Sequence, residues 1–150
     1  MTYVDRHTVP VAARPDEAWG RLVRLGGDPR AWTPGPLWRV RGALDRLVGG
    51  PGFRMTGPGR DLRPGDDVDF WRVEEVSPPA LLRLRASTRL PGTAYLTARL
   101  APAGAASTLT LQTDFEPAGL PGHAYWWSSV AAHRATFALM ARRWASLLDD

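Results

Sequence analysis

Residues 121–150 read PGHAYWWSSVAAHRATFALMARRWASLLDD. Taken as a helix, this stretch puts Trp126, Val130, His133, Phe137, Met140, Trp144 and Leu147 at alternating steps of four and three, which stacks seven side chains in one narrow stripe. Arg134, Arg142 and Arg143 fall off the stripe. Pro121 suits the first turn, where a missing N–H has no partner to lose. At 1.5 Å per residue the helix is roughly 40 Å long, enough to cross a small domain. His133 is the one member of the stripe that its polarity does not place there, and an apolar stripe of this length requires a second surface to cover it.

The 150 residues fit one domain spanning 1–150, able to bury about two-thirds of the surface of the unfolded chain. With 44% hydrophobic residues and seven Trp the composition is globular, and no apolar run approaches the roughly 18 residues of a membrane-spanning helix. The N-terminal MTYVDRHTVPV lacks the layout of a secretory signal, so a cytoplasmic protein is expected. The absence of Cys excludes disulfides, thiolate nucleophiles and zinc-thiolate sites. The net charge of +4 comes from arginines alone, spread among acidic residues along the chain. That favours a solvated Arg-rich surface over a nucleic-acid patch.

Working outward from the helix, residues 3–13 alternate weakly and read as a first strand, with Pro10 marking an edge or end position. Asp16 is placed as the N-cap of a short helix from Glu17 to Leu25, and a second helix from Leu37 to Val48. The glycines at 49–52 close that helix and lead into a strand at 53–55. A phosphate loop has the opposite order, strand then glycines then helix, so no nucleotide site is expected.

Residues 66–115 alternate as strand, turn, strand. A turn at Ser77-Pro78-Pro79-Ala80 pairs Val73 with Leu84, Trp71 with Ala86, Asp69 with Thr88 and, on the other face, Glu74 with Arg83. A three-residue loop at Pro91-Gly92-Thr93 keeps the faces consistent by aligning Leu84 with Leu100, Ala86 with Ala98 and Thr88 with Leu96, since a one-residue slip would invert a strand. The next hairpin pairs Leu100 with Leu109, Ala98 with Leu111 and Leu96 with Thr113. The inner face then carries Asp69, Trp71, Val73, Leu82, Leu84, Ala86, Thr88, Leu96, Ala98, Leu100, Leu109, Leu111, Thr113 and Phe115, and the outer face carries the arginines. A one-sided sheet and a striped helix can cover each other. The expected class is α+β, a curved antiparallel sheet wrapped around a long C-terminal helix, with two short helices after the first strand.

This order resembles the START-like, or polyketide cyclase, helix-grip superfamily. The segments GGDPRAWTPGPLWRVRGALDRLVGGPGFR, DLRPGDDVDFWRVEEV, RLPGTAYL and HRATFALMARR are similar to an uncharacterised bacterial domain often fused behind an NAD(P)-binding short-chain-dehydrogenase-like domain. That branch usually has an acidic residue where this chain has Ser87. With Met1 just ahead of the first strand, a stand-alone copy is expected. The superfamily implies a ligand cavity between sheet and helix.

The inner face makes one level of the sheet polar, with Asp69, Thr88 and Thr113 on neighbouring strands. A small hydrophobic or aromatic ligand bounded by Trp71, Ala86, Thr88, Ala98, Thr113, His133 and Phe137 is one reading. In a second, Asp69 and His133 act as acid and base of a cyclase or dehydratase. A third is an interaction domain for an NAD(P)-binding dehydrogenase-like partner. Against these stand a His133 satisfied by a neighbour and an Asp69 satisfied at a strand end. His7, His123 and His133 lack metal-ligand spacing, and no GxSxG elbow supports Ser129 as a nucleophile. No cofactor or metal is expected. The partners this reading admits are a small apolar ligand, the dehydrogenase-like protein and a second copy of the chain.

Overall fold

In the computed structural model, which describes residues 1–25, 43, 47, 58–68 and 70–150, the strand β1 (Tyr3–Val11) is followed by the helix α1 (Pro15–Leu25). Then come β2 (Asp67–Val68), β3 (Trp71–Ser77), β4 (Leu81–Ala86), β5 (Gly92–Ala103), β6 (Ala106–Pro117) and the helix α2 (Gly119–Asp149). The strands form one antiparallel sheet in the order β1-β6-β5-β4-β3-β2. β1 lies at its edge beside β6, where Pro10 has no ladder bond to lose on the open side. The curved sheet and long C-terminal helix are the helix-grip arrangement expected from the sequence. The expected helix 37–48, apart from the helical Ala43 and Leu47, lies outside the described residues, as do the strand 53–55 and Asp69.

The alternation places Trp71, Val73, Leu82, Leu84, Leu96, Ala98, Leu100, Leu109 and Leu111 in the core. The β5–β6 register is the one read from the sequence, with Leu100 opposite Leu109, Ala98 opposite Leu111 and Leu96 opposite Thr113. The β4–β5 register is not. Leu84 pairs with Leu96 instead of Leu100, and Leu82 with Ala98, so the expected Ala86–Ala98 and Thr88–Leu96 pairs do not form. The cause is local. Both the backbone N–H and the hydroxyl of Ser87 donate to Phe70 O, each at 2.7 Å. These bonds keep the chain against the β3 side just past Ala86, while its pairing with β5 ends at Arg85, and β5 begins only at Gly92. The slip is even, so each side chain keeps its face.

Two smaller corrections follow. A bulge between Val73 and Glu75 sets Glu75, not Glu74, opposite Arg83, although the Glu74 carboxylate still lies 3.6 Å from Arg83 Nε. Asp16 does not cap α1 but sits in its first turn, because the helix begins at Pro15 and Ala18 N–H already donates to Arg14 O at 2.8 Å.

The stripe of α2 packs on this sheet through Trp126, Phe137, Met140 and Trp144, while Val130, His133 and Leu147 are half-buried. Ala141, Ala145 and Leu148 join the buried side. Steps of four and three average 3.5 residues per turn, whereas an α-helix has 3.6. The stripe therefore drifts by ~20° per heptad, and by the last turn Leu148 rather than Leu147 faces the sheet. Both ends of α2 are tied down. At its start, Gly122 is buried and any side chain there would overlap Pro91 O and Pro117, so the helix backbone rests directly on the β5–β6 pair. At its end, Asp149 Oδ1 accepts from the N–H groups of Ala12 and Ala13 at 2.7 and 3.2 Å. The Arg21 guanidinium donates to the otherwise orphan Leu148 carbonyl.

Candidate functional site

Because α2 crosses the β1–β6 side of the sheet, the inner side chains of those strands meet its N-terminal half. On β1 the alternation turns Tyr3, Asp5, His7 and Val9 inward, against Phe115, Thr113, Leu111 and Leu109 of β6. Thr113 is buried, and its hydroxyl shares a 2.8 Å hydrogen bond with His133 Nε2. The imidazole is flanked by Trp126 and Phe137, with ring centroids 5.2 and 4.6 Å away. Its other ring nitrogen has no partner among the described residues. Burial strips water from the charged form and pushes the His133 pKa down to about 4, against the opposing pull of Asp5 and with help from His7 and Arg134. His133 is therefore a neutral ring at ordinary pH.

Directly opposite Thr113, Asp5 holds His7 Nε2 at 2.7 Å and stands 3.9 Å from Arg134 Nε. About two turns earlier in α2, Tyr3 stacks on Trp126 at 4.9 Å between ring centroids, and its hydroxyl meets His123 Nδ1 at 2.7 Å. These residues form two pairs along the first half of α2, Asp5 and His7 near His133, and Tyr3 and His123 beside Trp126. Sequence reasoning left them out because the faces of strand 3–13 were not assigned. The signal was present: every second residue from Tyr3 is either aromatic or able to hydrogen-bond inward, ahead of Val9 and Val11.

A cavity of about 50 Å³ lies between the sheet and the first half of α2. Trp71, Thr113, Phe115, Trp126, His133 and Phe137 line it, with Tyr125 and Leu90 also at its wall. Of the seven residues expected to bind a ligand, Trp71, Thr113, His133 and Phe137 meet here. Ala98 is fully buried in the core instead, because the β4–β5 slip sets it opposite Leu82. Ala86 and Thr88 line a separate open groove of about 440 Å³ at the far end of β4. The Asp69 half of the acid–base pair lies outside the described residues. Ser129 is at the cavity wall, but its hydroxyl donates to Tyr125 O at 2.7 Å. Among the described residues no group of acidic and histidine side chains could hold a metal ion, and no helix is long and apolar enough to cross a membrane.

Residues 1–140 match the family described as proteins of unknown function, DUF2867, and the chain belongs to it. No curated protein matches the sequence. Among solved structures the chain is similar to truncated norcoclaurine synthase from Thalictrum flavum, with a TM-score of 0.61, 16% identity, and coverage of 99% of this chain and 94% of that one. It is also similar to DynU16, a protein of the dynemicin biosynthetic locus, with a TM-score of 0.59 and 23% identity over 97% of this chain. The chain spans 46% of DynU16. The Aha1 dimer from Colwellia psychrerythraea gives a TM-score of 0.58 and 12% identity, covering 98% of this chain and 96% of that one. At such identities the likeness establishes the shared helix-grip fold.

Proposed function

We propose that this member of the DUF2867 family binds a small aromatic or apolar ligand between its sheet and α2, with His133 as the polar contact. The observation that carries the reading is the state of that imidazole. One ring nitrogen is bonded to Thr113 and the other lacks a protein partner among the described residues, while aromatic rings flank it at the wall of a cavity. A neutral imidazole in that position offers one hydrogen bond to a phenol, carbonyl or heteroaromatic nitrogen, and Trp71, Phe115 and Phe137 offer flat faces to a ring. The space of about 50 Å³ is smaller than the ~150 Å³ that takes up benzene in an engineered apolar cavity, so a ring enters only as wall side chains such as Tyr125 and Leu90 move aside.

Catalysis is the second reading, and the likeness to a synthase and to a protein of a biosynthetic locus supports it at the level of fold. A histidine with a pKa of about 4 is unprotonated at neutral pH, which leaves His133 a hydrogen-bonding group or weak base rather than a proton donor. That weighs toward binding. A dehydrogenase-like partner rests on the sequence resemblance alone, and a cytoplasmic location on the N-terminal sequence alone.

The test is a screen of phenols, aromatic ketones and fatty acids by native mass spectrometry and thermal shift. Binding of a ring-bearing compound, weakened in His133→Phe, supports the reading. Failure of every class to bind, or equal binding by His133→Phe, refutes it.

A further inference from the structure

The groove at the end of β4 has a different chemistry from the cavity, and the two share no lining residue. Arg72 of β3 and Arg85 of β4 are directly opposite in register, so both guanidinium groups leave the same face side by side. Like charges in that relation repel and destabilise a strand pair. Only one of the two is compensated. Asp67 accepts from Arg72 Nε and Nη2 at 3.0 and 3.3 Å, whereas Arg85 has no partner among the described residues. Other arginines are engaged: Arg83 with Glu74 and the Tyr95 ring, Arg60 with Asp66, Arg6 with Gln112.

Thr88 and Thr93 line the groove with Arg85, and their hydroxyls also lack a protein partner among the described residues. Among the described residues no acidic side chain lines it. A guanidinium fork without a protein partner, in one groove with a second cation and two unengaged hydroxyls, matches the charge and hydrogen-bonding needs of a carboxylate or phosphate. The volume of about 440 Å³ admits a small molecule carrying such a group.

We propose that this groove binds the carboxylate or phosphate group of a small ligand, with Arg85 as the principal contact and Thr88 and Thr93 as auxiliary donors. The proposal does not depend on the cavity beneath α2.

The experiment is a ¹H–¹⁵N NMR titration of the full chain with sodium phosphate and, separately, sodium benzoate, at ionic strength held constant with NaCl so that screening does not change. Saturable shifts are expected at the Ser87–Thr93 amides and the Arg85 Nε–H. Saturation by only one of the two anions supports the proposal and identifies the headgroup. Arg85→Gln, at an exposed position, is expected to keep the rest of the spectrum and to weaken binding about tenfold or more. Thr93→Val is expected to weaken it less. Arg99→Gln, on the same face but outside the groove, serves as the control. Shifts that fail to saturate, or that Arg85→Gln and Arg99→Gln reduce equally, overturn the proposal in favour of a general electrolyte effect.

Discussion

Lowering the pH through 6.5 and toward 4 destabilises this protein through His133. In the unfolded chain the imidazole takes up a proton near 6.5; in the native state burial holds that event down to about 4. Between those values the unfolded state binds more protons than the native one, so stability falls as pH falls. The contribution is fully present above pH 6.5, and once the native imidazole also titrates, below about 4, no more is lost. At 1.36 kcal/mol per pH unit the loss is about 2 kcal/mol at pH 5 and about 3 kcal/mol at most. The groups setting the native value face the ring from both sides: Asp5 and His7 from β1, Arg134 from α2 itself, with the uncharged Thr113 on β6. Other carboxylates and histidines add their own pH dependence, so the quantity to measure is a difference. Urea unfolding of the wild type and of His133→Phe at pH 7.5, 6, 5 and 4.5 gives it. The two proteins are expected to diverge as the pH falls, the wild type losing about 2 kcal/mol relative to the variant by pH 5. A difference that stays constant across this range refutes a buried, neutral His133.

Three further outcomes follow from the same coordinates. Thr113→Val keeps the shape of a buried side chain but leaves His133 Nε2 without its 2.8 Å partner. It is expected to cost about 1–3 kcal/mol in urea unfolding, and the double variant with His133→Phe is expected to recover most of the loss. Trp144→Ala removes a fully buried indole and is expected to cost about 3–5 kcal/mol by the same assay. Gly122→Ala pushes a methyl into Pro91 O and Pro117 and is expected to lower Tm by several degrees, even though alanine is the better helix former, about 1 kcal/mol better in an open helix. A rise in Tm for that variant would show that the start of α2 does not rest on the β5–β6 pair.

The sequence by itself determined the faces. Alternation after Trp71 and the four-three spacing of 126–147 reflect burial, which depends on side-chain chemistry, so the inner sheet residues from Trp71 to Phe115 and the buried part of the helix stripe were legible one by one. The β5–β6 register was legible too, because a short turn at Gly104, with φ of 63°, leaves little freedom in how two long strands align. The β4–β5 register was decided only by tertiary structure. Any even slip satisfies the same alternation, and the register that forms accompanies two hydrogen bonds from Ser87 to a carbonyl 17 positions away. The site followed the same division. His133 stood out as the polar member of an apolar stripe, but nothing local told that its partner would be Thr113. Nor could the sequence show that Asp5, His7 and Tyr3 would lie beside it, since β1 reaches β6 across more than 100 intervening residues. Local pattern encodes which side of an element is buried. Which buried sides meet depends on contacts between distant segments, and those exist only once the chain has folded.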